Sequence, residues 1–503
     1  MSKHLIFITV ITLIFRLYGL NWDQGNHLHP DERFLTMVTT AMKFSGNYFD
    51  TKNSLLNPHN IGYDFYVYGT WPAILTKLVA IALNMVNYDQ LILVGRVLSA
   101  IFDTSTTIII YLIAINLFKN RLAAFFSSLF YSLAILPIQL SHFFAVDTFL
   151  VFALTASLYF LLKQKYILLG LFFGLALSAK ISAILFLPII LLYLVFISRH
   201  PIRITVIFFI TVIISIRLFY PYLFDGLWLN LQVLDNWRTL KSFDLPGYFP
   251  PGVQWINYPT ISLYLNTLFF GLGLPLGVLF IFTILNIYKI IKKIPITGLL
   301  FLWIIGLLIY YSLQFAQPLR YLFPIYPAIC ILCGYLVSKI GHWSLVIVAC
   351  VAIWSLGFAS IYARPHSRVQ ASSWILQNIP VGSKISCEYW DDCLPLQNYQ
   401  NYQQIQISPY DSNKLPDISK IDYLIFSSNR LYGAIPSAPE LYPKTSHFYK
   451  DLFYEKLGFT KVAEFTSRPN IYLPNIKFCL TPPYFNYGFV SKSNQFCDQE
   501  GIT

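Results

Sequence analysis

Eleven apolar segments follow one another along the first 362 residues, and they constrain the fold more than any other feature of the sequence. A helix that crosses the hydrocarbon core of a bilayer needs roughly 20 mostly apolar residues. Only 12% of the chain is charged, whereas about a quarter is usual in soluble domains, and this excludes an ordinary soluble protein. We therefore predict a multi-span α-helical membrane protein, with helices at residues 4–20, 91–118, 122–140, 145–162, 166–179, 181–197, 204–220, 261–288, 296–314, 321–338 and 343–362.

The segments between these predicted helices differ in charge on the two sides of the membrane. With a cytoplasmic N-terminus, the cytoplasmic segments hold eleven basic residues and no acidic residue, namely Lys3, Lys119, Arg121, Lys163, Lys165, Arg199, Arg203, Lys289, Lys292, Lys293 and Lys339. Cytoplasmic loops of membrane proteins collect Lys and Arg. The sequence therefore predicts a multi-pass protein of the plasma membrane with its N-terminus in the cytoplasm. The same distribution explains the net charge of +12 without a nucleic-acid partner.

The first outer loop, predicted at residues 21–90, is too long to be a simple connector and contains a further apolar stretch at 68–86. A membrane span there would reverse the side of every later loop and would place the basic clusters outside. We therefore predict that this stretch forms an amphipathic helix at the outer membrane interface. Trp71, Lys77 and Tyr88 are then expected near the lipid headgroups.

Residues 363–503 differ in composition from the membrane domain predicted at residues 1–362, because their apolar runs are short and Pro, Asn, Ser and Tyr are frequent. This pattern predicts a small extracytoplasmic α/β domain. The predicted strands are at 384–390, 421–427 and 471–473, and the predicted helices are at 368–378 and 446–457.

Four cysteines lie in this outer domain, at Cys387, Cys393, Cys479 and Cys497. In an oxidising compartment they can form two disulfides in three ways, which the sequence does not distinguish. The stretch CEYWDDCLPL at residues 387–396 is interpreted as a surface loop that a disulfide holds. A sugar-binding role for its aromatic residues is the less favoured alternative.

The stretch HPDE at residues 29–32 places Asp31 and Glu32 directly after the first predicted span. An acidic pair at a water-exposed turn can be purely structural, with Pro30 ending one helix and Asp31 capping the next. It can also supply a general base or a metal ligand for a substrate whose reactive group lies at headgroup level. The stretch alone leaves both interpretations open.

Four further ionisable residues are predicted at the outer ends of apolar segments, namely Arg96, Asp147, Lys180 and Arg320. Ionisable residues at membrane depth are costly and often mark a functional site, although each one alone can be a structural ion pair or a snorkelling side chain. Taken together with the acidic pair, they favour a site for an anionic lipid headgroup beside an acid/base centre.

The order of these features resembles the GT-C superfamily of polytopic glycosyltransferases, in particular the branch similar to protein O-mannosyltransferases and to the lipid A aminoarabinose transferase. The resemblance covers most of residues 1–362 in the order of these features. Its motifs are the acidic pair of the first outer loop, the stretch GRVLSAIFDTSTTIIIYLIAINLF in the second span, Asp147 after the third span, GLALSAKISA around Lys180, RYLFPIYP from Arg320 onwards, and the outer C-terminal domain.

The resemblance implies transfer of a hexosyl or pentosyl group from a polyprenyl-phosphate donor to a hydroxyl acceptor on the extracytoplasmic side. The resemblance does not identify the sugar. It also does not decide whether the acceptor is a protein, a lipid or a surface glycan. Asp31 is then expected to be the general base, and Glu32 to orient the acceptor or to support a metal. Lys180 and Arg320 are expected to bind the donor phosphate.

Two further assignments follow from the same resemblance. Asp147 is expected to bind the acceptor or to support the site, and Arg96 is a weaker candidate for the donor phosphate because it can instead neutralise an acidic neighbour. No metal is assigned and no obligatory cofactor is expected. A divalent cation bound by Asp31, Glu32 and Asp147 is the alternative, since hard cations prefer oxygen ligands.

A polytopic transporter or flippase for a lipid-linked sugar is the rival interpretation. Transporters bind their substrates near the bilayer midplane, between repeated halves of the chain. Here the ionisable residues gather at the outer leaflet and no repeat is visible in the sequence. The glycosyltransferase interpretation is therefore preferred.

Overall fold

The structure is a computed structural model that describes residues 3–198, 200–248, 250–389, 392–396, 399–408, 417–427, 430–467, 469–473 and 476–479. In the first part of the chain, the described residues form mostly α-helices. These are α1 (Lys3–Leu17), α2 (Pro30–Ala41), α3 (Trp71–Ala82), α4 (Tyr88–Phe118), α5 (Arg121–Leu133), α6 (Ile135–Leu140), α7 (Val146–Leu162), α8 (Tyr166–Leu177), α9 (Leu187–Phe196), α10 (Pro201–Phe219), α11 (Leu231–Ser242), α12 (Thr260–Asn266), α13 (Leu274–Leu285), α14 (Ile287–Lys293), α15 (Thr297–Ser312), α16 (Tyr326–Val337) and α17 (Trp343–Ala359).

Short segments of other helix types extend several of these helices. A 3₁₀ segment at Ile181–Phe186 leads into α9, another at Leu319–Ile325 leads into α16, and a π-helical turn at Thr267–Gly271 separates α12 from α13. Proline begins many of the helices, as Pro30 does in α2 and Pro201 in α10. This position suits proline, because its fixed φ is helical and its missing N–H has no partner in the first turn.

Each of the eleven predicted spans coincides with a helix or with two or more consecutive helical segments. By length and composition, four helices of the described residues are long and apolar enough to cross a membrane, and a bent pair formed by α13 and α14 would make a fifth. Several shorter apolar helices accompany them, including α7, α8 and α15. The helical character is thus as predicted, whereas the number of spans stays a prediction.

The largest hydrophobic core lies between α4, α5, α7, α8 and α16. Its fully buried side chains include Phe130, Phe149 and Ile329. Gly334 allows α16 to approach α5 closely, because a Cβ atom there would lie 2.3 Å from the backbone nitrogen of Ser127. Small residues bring membrane helices together in this way.

Large apolar side chains are exposed along the outside of the bundle, for example Phe196 on α9, Ile202 on α10 and Leu345 on α17. In water such a surface would be a liability. On a membrane protein it is the surface that lipid covers, so the exposure pattern agrees with the apolar segments of the sequence.

A buried charged cluster lies inside the membrane part and was not predicted. Arg16 on α1 donates to Asp103 on α4 at 2.8 Å, and Asp103 also accepts from the Tyr131 hydroxyl at 2.6 Å. Arg16 donates to the backbone carbonyl oxygens of Tyr131 and Ser132 as well. These contacts join α1, α4 and α5, and every charge in the cluster has a partner, as a buried ion pair requires.

The first outer loop folds over the ends of these helices. Its core combines Leu35 of α2, Ala73 of α3 and Leu91 of α4 with Tyr222 and Val233 from the segment after α10. That segment also contains a small antiparallel hairpin of β1 (Phe224–Asp225) and β2 (Trp228–Leu229).

The apolar stretch at 68–86 forms α3, whose 12 residues fall short of the roughly 20 that a span needs. The side chains of Trp71 and Lys77 are buried in the protein, so they do not themselves face lipid headgroups, and the position of α3 at the membrane interface stays a prediction. The Trp71 indole N–H donates to the Leu175 carbonyl oxygen at 2.9 Å, and Lys77 Nζ donates to the Thr40 carbonyl oxygen at 2.8 Å. Lys77 thus binds the C-terminal end of α2, where unpaired carbonyl oxygens attract cations.

The C-terminal region contains both helices and strands. Its described elements are α18 (Ser367–Asn378), β3 (Lys384–Glu388), β4 (Gln403–Ile407), α19 (Pro443–Phe453), β5 (Asn470–Leu473) and β6 (Ile476–Cys479). Strands β3 and β4 are parallel, and β5 and β6 form an antiparallel pair. The strand predicted at 421–427 is present only as an isolated bridge between Tyr423 and Ile385.

The cysteines of this region are resolved in part. Cys387 and Cys393 form a disulfide, which closes the loop that follows β3. The side chain of Cys479 and the whole of Cys497 lie outside the described residues, so their pairing stays a prediction.

Candidate active site

The acidic pair lies in the first turn of α2. His29 is the N-cap residue, and its Nδ1 accepts a hydrogen bond from the backbone N–H of Glu32 at 3.2 Å. Burial lowers the pKa of His29, so the ring is neutral at neutral pH and Nδ1 is free to accept. Acidic residues in a first turn are favoured by the partial positive charge of the helix N-terminus. The sequence prediction of a capped helix after Pro30 is therefore correct, although the cap is His29 rather than Asp31.

Glu32 points into the protein and binds Arg96 of α4. Arg96 donates to both carboxylate oxygens of Glu32 at 2.8 Å and to both oxygens of Asp23 at 3.0 and 2.9 Å. The Leu20 carbonyl oxygen accepts a further hydrogen bond from Arg96 at 3.0 Å, so all five guanidinium N–H groups are used. Glu32 also accepts from the backbone N–H of Phe144 at 2.7 Å.

The side chains of Arg96 and Glu32 have no exposed surface. A carboxylate with two such partners and no access to solvent cannot take a proton from a substrate in this conformation. The geometry instead fits the alternative stated for Arg96, namely that it neutralises acidic neighbours. The buried cluster of Asp23, Glu32 and Arg96 fixes the position of α2 against α4.

Asp31 points the other way and forms an ion pair with Arg320. Arg320 belongs to the 3₁₀ segment that leads into α16. Burial raises the pKa of the Asp31 carboxyl, but the Arg320 guanidinium outweighs this effect, together with Lys180 and with the His29 ring once it is protonated at low pH, and holds the pKa well below its usual range. The Asp31 side chain keeps 36% of its surface exposed. Asp31 is therefore a reachable carboxylate that is ionised at neutral pH.

A second carboxylate–cation pair joins the first turn of α7 to the segment after α8. Lys180 Nζ donates to the Asp147 carboxylate at 2.9 Å. The same Nζ lies 5.2 Å from the ring centroid of Tyr321, over which Arg320 also lies, at 6.0 Å. Because Lys180 also contributes to the low pKa of Asp31, the two pairs belong to one site. Lys180 and Asp147 are mostly but not completely buried.

Tyr68, from the loop before α3, is also at this site. Burial raises the pKa of its hydroxyl, and the neighbouring carboxylates of Asp31 and Asp147 contribute to the shift. The next residue, Gly69, donates its backbone N–H to the Ala179 carbonyl oxygen at 2.9 Å. The loop that presents Tyr68 is thus hydrogen-bonded to the segment that presents Lys180.

Arg320 retains a hydrogen-bond donor without a partner. Its Nε atom is buried and has no hydrogen-bond partner among the residues that the structure describes. Leaving a buried donor of a charged group unpaired costs free energy. A ligand oxygen bound beside Arg320 would satisfy this donor.

Four of the predicted site residues therefore lie together, namely Asp31, Asp147, Lys180 and Arg320, and two, Glu32 and Arg96, lie in the buried cluster behind them. Asp23, Tyr68 and Tyr321 were missed. A signal existed for Asp23, which is an acidic residue at the end of the first apolar segment, and for Tyr321, which is next to Arg320 in the sequence. In the described part of the chain, no group of three or more His, Cys, Asp or Glu side chains is placed to hold a metal ion.

Comparisons with known proteins bear on the fold of the chain. The sequence family described as dolichyl-phosphate-mannose-protein mannosyltransferase matches residues 74–224, a range that includes Arg96, Asp147 and Lys180. A search of curated proteins gives no significant match. Among solved structures, ArnT from Cupriavidus metallidurans in the apo state matches with a TM-score of 0.52 and 14% identity, covering 90% of this chain and 91% of that chain.

Two further structures contain lipid phosphates. ArnT from Cupriavidus metallidurans bound to undecaprenyl phosphate matches with a TM-score of 0.50 and 16% identity, over 74% of this chain and 72% of that chain. The oligosaccharyltransferase AglB from Archaeoglobus fulgidus, in complex with an inhibitory peptide and a dolichol-phosphate, matches with a TM-score of 0.50 and 13% identity. This match covers 77% of the present chain but only 62% of AglB.

The chain has the GT-C fold. The fold that the resemblance predicts from the acidic pair and the later motifs is confirmed, whereas the family match extends over residues 74–224. At these levels of identity the structural matches establish the fold, whereas the residue roles depend on the geometry of this GT-C chain itself.

Proposed function

We propose that this GT-C chain transfers a sugar from a polyprenyl-phosphate donor to a hydroxyl acceptor on the outer side of the membrane. The observation that carries the proposal is the meeting of two carboxylate–cation pairs, Asp31 with Arg320 and Asp147 with Lys180, at one partly exposed site. Such a site offers cations for a phosphate and a carboxylate for a hydroxyl proton. The reaction requires both, because a phosphate leaves the sugar and the acceptor hydroxyl loses a proton.

The donor phosphate binds between Arg320 and Lys180 in this proposal. Arginine and lysine both bind phosphate oxygens, and arginine does so with a forked set of donors. The unpaired Nε of Arg320 supplies one of these donors. Lipid phosphates bound to ArnT and to AglB support this class of donor.

Asp31 is the proposed general base. The acceptor hydroxyl gives its proton to Asp31 while its oxygen attacks the anomeric carbon. The bond between the anomeric carbon and the phosphate oxygen breaks, and polyprenyl phosphate leaves with its negative charge beside Arg320 and Lys180. Proximity and charge stabilisation of this kind account for most of the catalysis that a fixed site can supply.

The low pKa of Asp31 in the free protein is a poor match for a base, because a base works best when its pKa lies near the working pH. A bound donor phosphate corrects this mismatch, since it competes with Asp31 for the Arg320 guanidinium. Weakening that ion pair raises the pKa of Asp31 when the donor is in place. The site therefore becomes basic only after the donor has bound.

The remaining predicted residues take supporting roles. Asp147 holds Lys180 in position and presents a second carboxylate toward the acceptor side of the site. Glu32 and Arg96 act from the buried cluster and position α2 without touching substrate. The acceptor is a protein, a lipid or a surface glycan hydroxyl, and the transferred group is a hexose or a pentose.

The test is sugar transfer in liposomes that contain the purified full-length chain and a panel of radiolabelled polyprenyl-phosphate sugars. The parent, Asp31→Asn and the matched control Asp64→Asn are compared, since Asp64 is an exposed residue of the same loop. Transfer by the parent and the control that is lost in Asp31→Asn supports the proposal. Undiminished transfer in Asp31→Asn would make Asp147 the candidate base, and lipid movement across the bilayer without transfer would favour a transporter.

A further inference from the structure

The helix that carries the acidic pair is tied to the outer C-terminal region by a long-range ion pair. Arg33 Nη2 on α2 donates to the Asp392 carboxylate at 2.8 Å, across 359 positions of the sequence. Arg33 lies two residues after Asp31, and its backbone N–H donates to the His29 carbonyl oxygen at 2.9 Å. The contact therefore acts on the turn of α2 that presents Asp31.

Asp392 is held at this place by a disulfide. It immediately precedes Cys393, which is bonded to Cys387 at the end of β3. Strand β3 is fixed in turn by its pairing with β4, and the backbone N–H of Tyr389 donates to the Ile407 carbonyl oxygen at 2.7 Å. The disulfide thus returns the chain to the sheet directly after Asp392, which limits how far this residue can move.

A second set of contacts holds Asp392 from the side of α18. Arg368 lies 3.5 Å from the Asp392 carboxylate and donates to the Ser427 carbonyl oxygen at 3.2 Å. The Ser427 hydroxyl donates to the backbone carbonyl oxygen of Asp392 at 2.5 Å. The carboxylate thus faces two arginines, one from its own region and one from α2.

This arrangement goes beyond a surface ion pair between flexible side chains. Isolated exposed pairs contribute little, because ordering two long side chains offsets most of the attraction. Here the Asp392 side chain is mostly buried, its backbone is fixed by a disulfide and a hydrogen bond, and Arg368 is almost completely buried. Because the fold already orders the Asp392 side chain, its ion pair with Arg33 loses little further side-chain entropy from Asp392.

We propose that Arg33 and Asp392 are positioning residues through which the disulfide-closed loop 387–393 holds α2, and with it Asp31, at the transfer site. The proposal rests on the function proposed above, because Asp31 is the group whose position it explains. The C-terminal region then contributes to catalysis without touching substrate. Trp390 of this loop lies outside the described residues, so the less favoured sugar-binding interpretation stays a prediction.

The first test measures the order of α2 and does not depend on activity. Hydrogen–deuterium exchange of backbone amides in residues 30–41 is compared in the purified full-length parent, Arg33→Met, Asp392→Asn and the double variant Cys387→Ser/Cys393→Ser. We expect several-fold faster exchange in all three variants. One matched control is Asp417→Asn, which removes an exposed ion pair with Lys420 in the same region. The other is Arg33→Lys, which keeps the positive charge. In both controls we expect α2 to exchange at the rate of the parent.

Exchange rates of α2 that equal those of the parent in Arg33→Met and Asp392→Asn would overturn the proposal. If the double cysteine variant does not fold, these two single variants still test it, because they leave the disulfide intact. Combining Arg33→Met with Asp392→Asn should add little to either change alone, since both remove the same contact. Fully additive effects would also overturn the proposal.

The second test separates positioning from general damage. With the donor found in the transfer assay, Arg33→Met and Asp392→Asn should lower kcat about tenfold and change the affinity for polyprenyl phosphate less than about twofold, since the phosphate-binding cations lie on other segments. Arg33→Lys should restore most of the rate. Faster exchange in α2 together with an unchanged kcat would overturn the positioning role. If the parent shows no transfer at all, the proposed function is contradicted, but the exchange result still tests the contact between Arg33 and Asp392.

Discussion

Asp31 and Arg320 lie 289 positions apart in the sequence and form an ion pair where the first turn of one helix meets the start of another. One residue comes from the first turn of α2 and the other from the segment that leads into α16. Their contact decides the protonation state of the only carboxylate of the acidic pair that has exposed surface. Several consequences can be measured.

The pH dependence of transfer should change when Arg320 is neutralised. In the parent, the pKa of Asp31 lies below its usual value of about 3.8, so Asp31 should cause no loss of kcat/KM between pH 8 and pH 5. In Arg320→Met the burial of Asp31 is no longer outweighed, so its pKa should rise and the acid limb should move to higher pH. The stability that the ion pair contributes is fully present above the unfolded-state pKa and is lost as the pH falls through the lower folded-state pKa.

The measurement is a pH profile of kcat/KM for the donor, because this parameter reports the free enzyme. Arg238→Met is the control, since Arg238 forms an exposed ion pair with Asp235 on α11. An acid limb at the same pH in the parent and in Arg320→Met would show that Asp31 is not the group that titrates.

Binding of the donor lipid should depend on Lys180. A charge-assisted hydrogen bond contributes about 1.5–3 kcal/mol, so Lys180→Met should weaken binding of polyprenyl phosphate by roughly 10- to 100-fold. The measurement is equilibrium binding of the lipid without its sugar. Lys163→Met is the control, because Lys163 is an exposed lysine at the end of α7, away from the site. Equal affinity for the parent and Lys180→Met would contradict a phosphate-binding role.

Removal of Arg96 should affect stability more than any single change at the exposed part of the site. Arg96→Met leaves the carboxylates of Asp23 and Glu32 buried without their cation, which typically costs about 3–5 kcal/mol. We expect a clear fall in the midpoint of thermal unfolding in detergent, with Arg238→Met close to the parent because exposed pairs contribute about 0–1 kcal/mol. An Arg96→Met protein as stable as the parent would mean that the cluster is not a structural element.

Much of this site could be predicted from the sequence, and the reason is topological. Apolar segments fix where the chain crosses the membrane, and loop charges fix which ends face outside, so Asp31, Asp147, Lys180 and Arg320 could be assigned to one side without knowledge of their contacts. The GT-C resemblance then gave these positions roles. The fold it implied is the fold that the structure has.

The pairings could not be predicted, because they depend on which helix ends meet in space. Nothing local distinguishes Asp31 from Glu32, yet adjacent positions on a helix point in different directions, so one carboxylate reaches Arg320 and the other reaches Arg96. Arg16 and Asp103 were overlooked although both stand inside apolar segments, where an ionisable residue signals a partner. The contact between Arg33 and Asp392 carried no such signal, since both residues are in polar stretches.

The last prediction concerns the backbone contact between the loops that carry Tyr68 and Lys180. A Cβ atom at Gly69 would lie 1.6 Å from the carbonyl oxygen of Ser178, so Gly69→Ala must push the two loops apart. Because Lys180 follows two residues after Ser178, the displacement should weaken polyprenyl-phosphate binding in the same direction as Lys180→Met. Gly306→Ala is the matched control, since a Cβ there meets open space at an exposed position of α15 and alanine favours a helix by up to about 1 kcal/mol. If Gly69→Ala folds and binds the lipid like the parent, binding of the donor phosphate does not depend on the spacing of these two loops. The phosphate would then be bound by Arg320 and its neighbours alone.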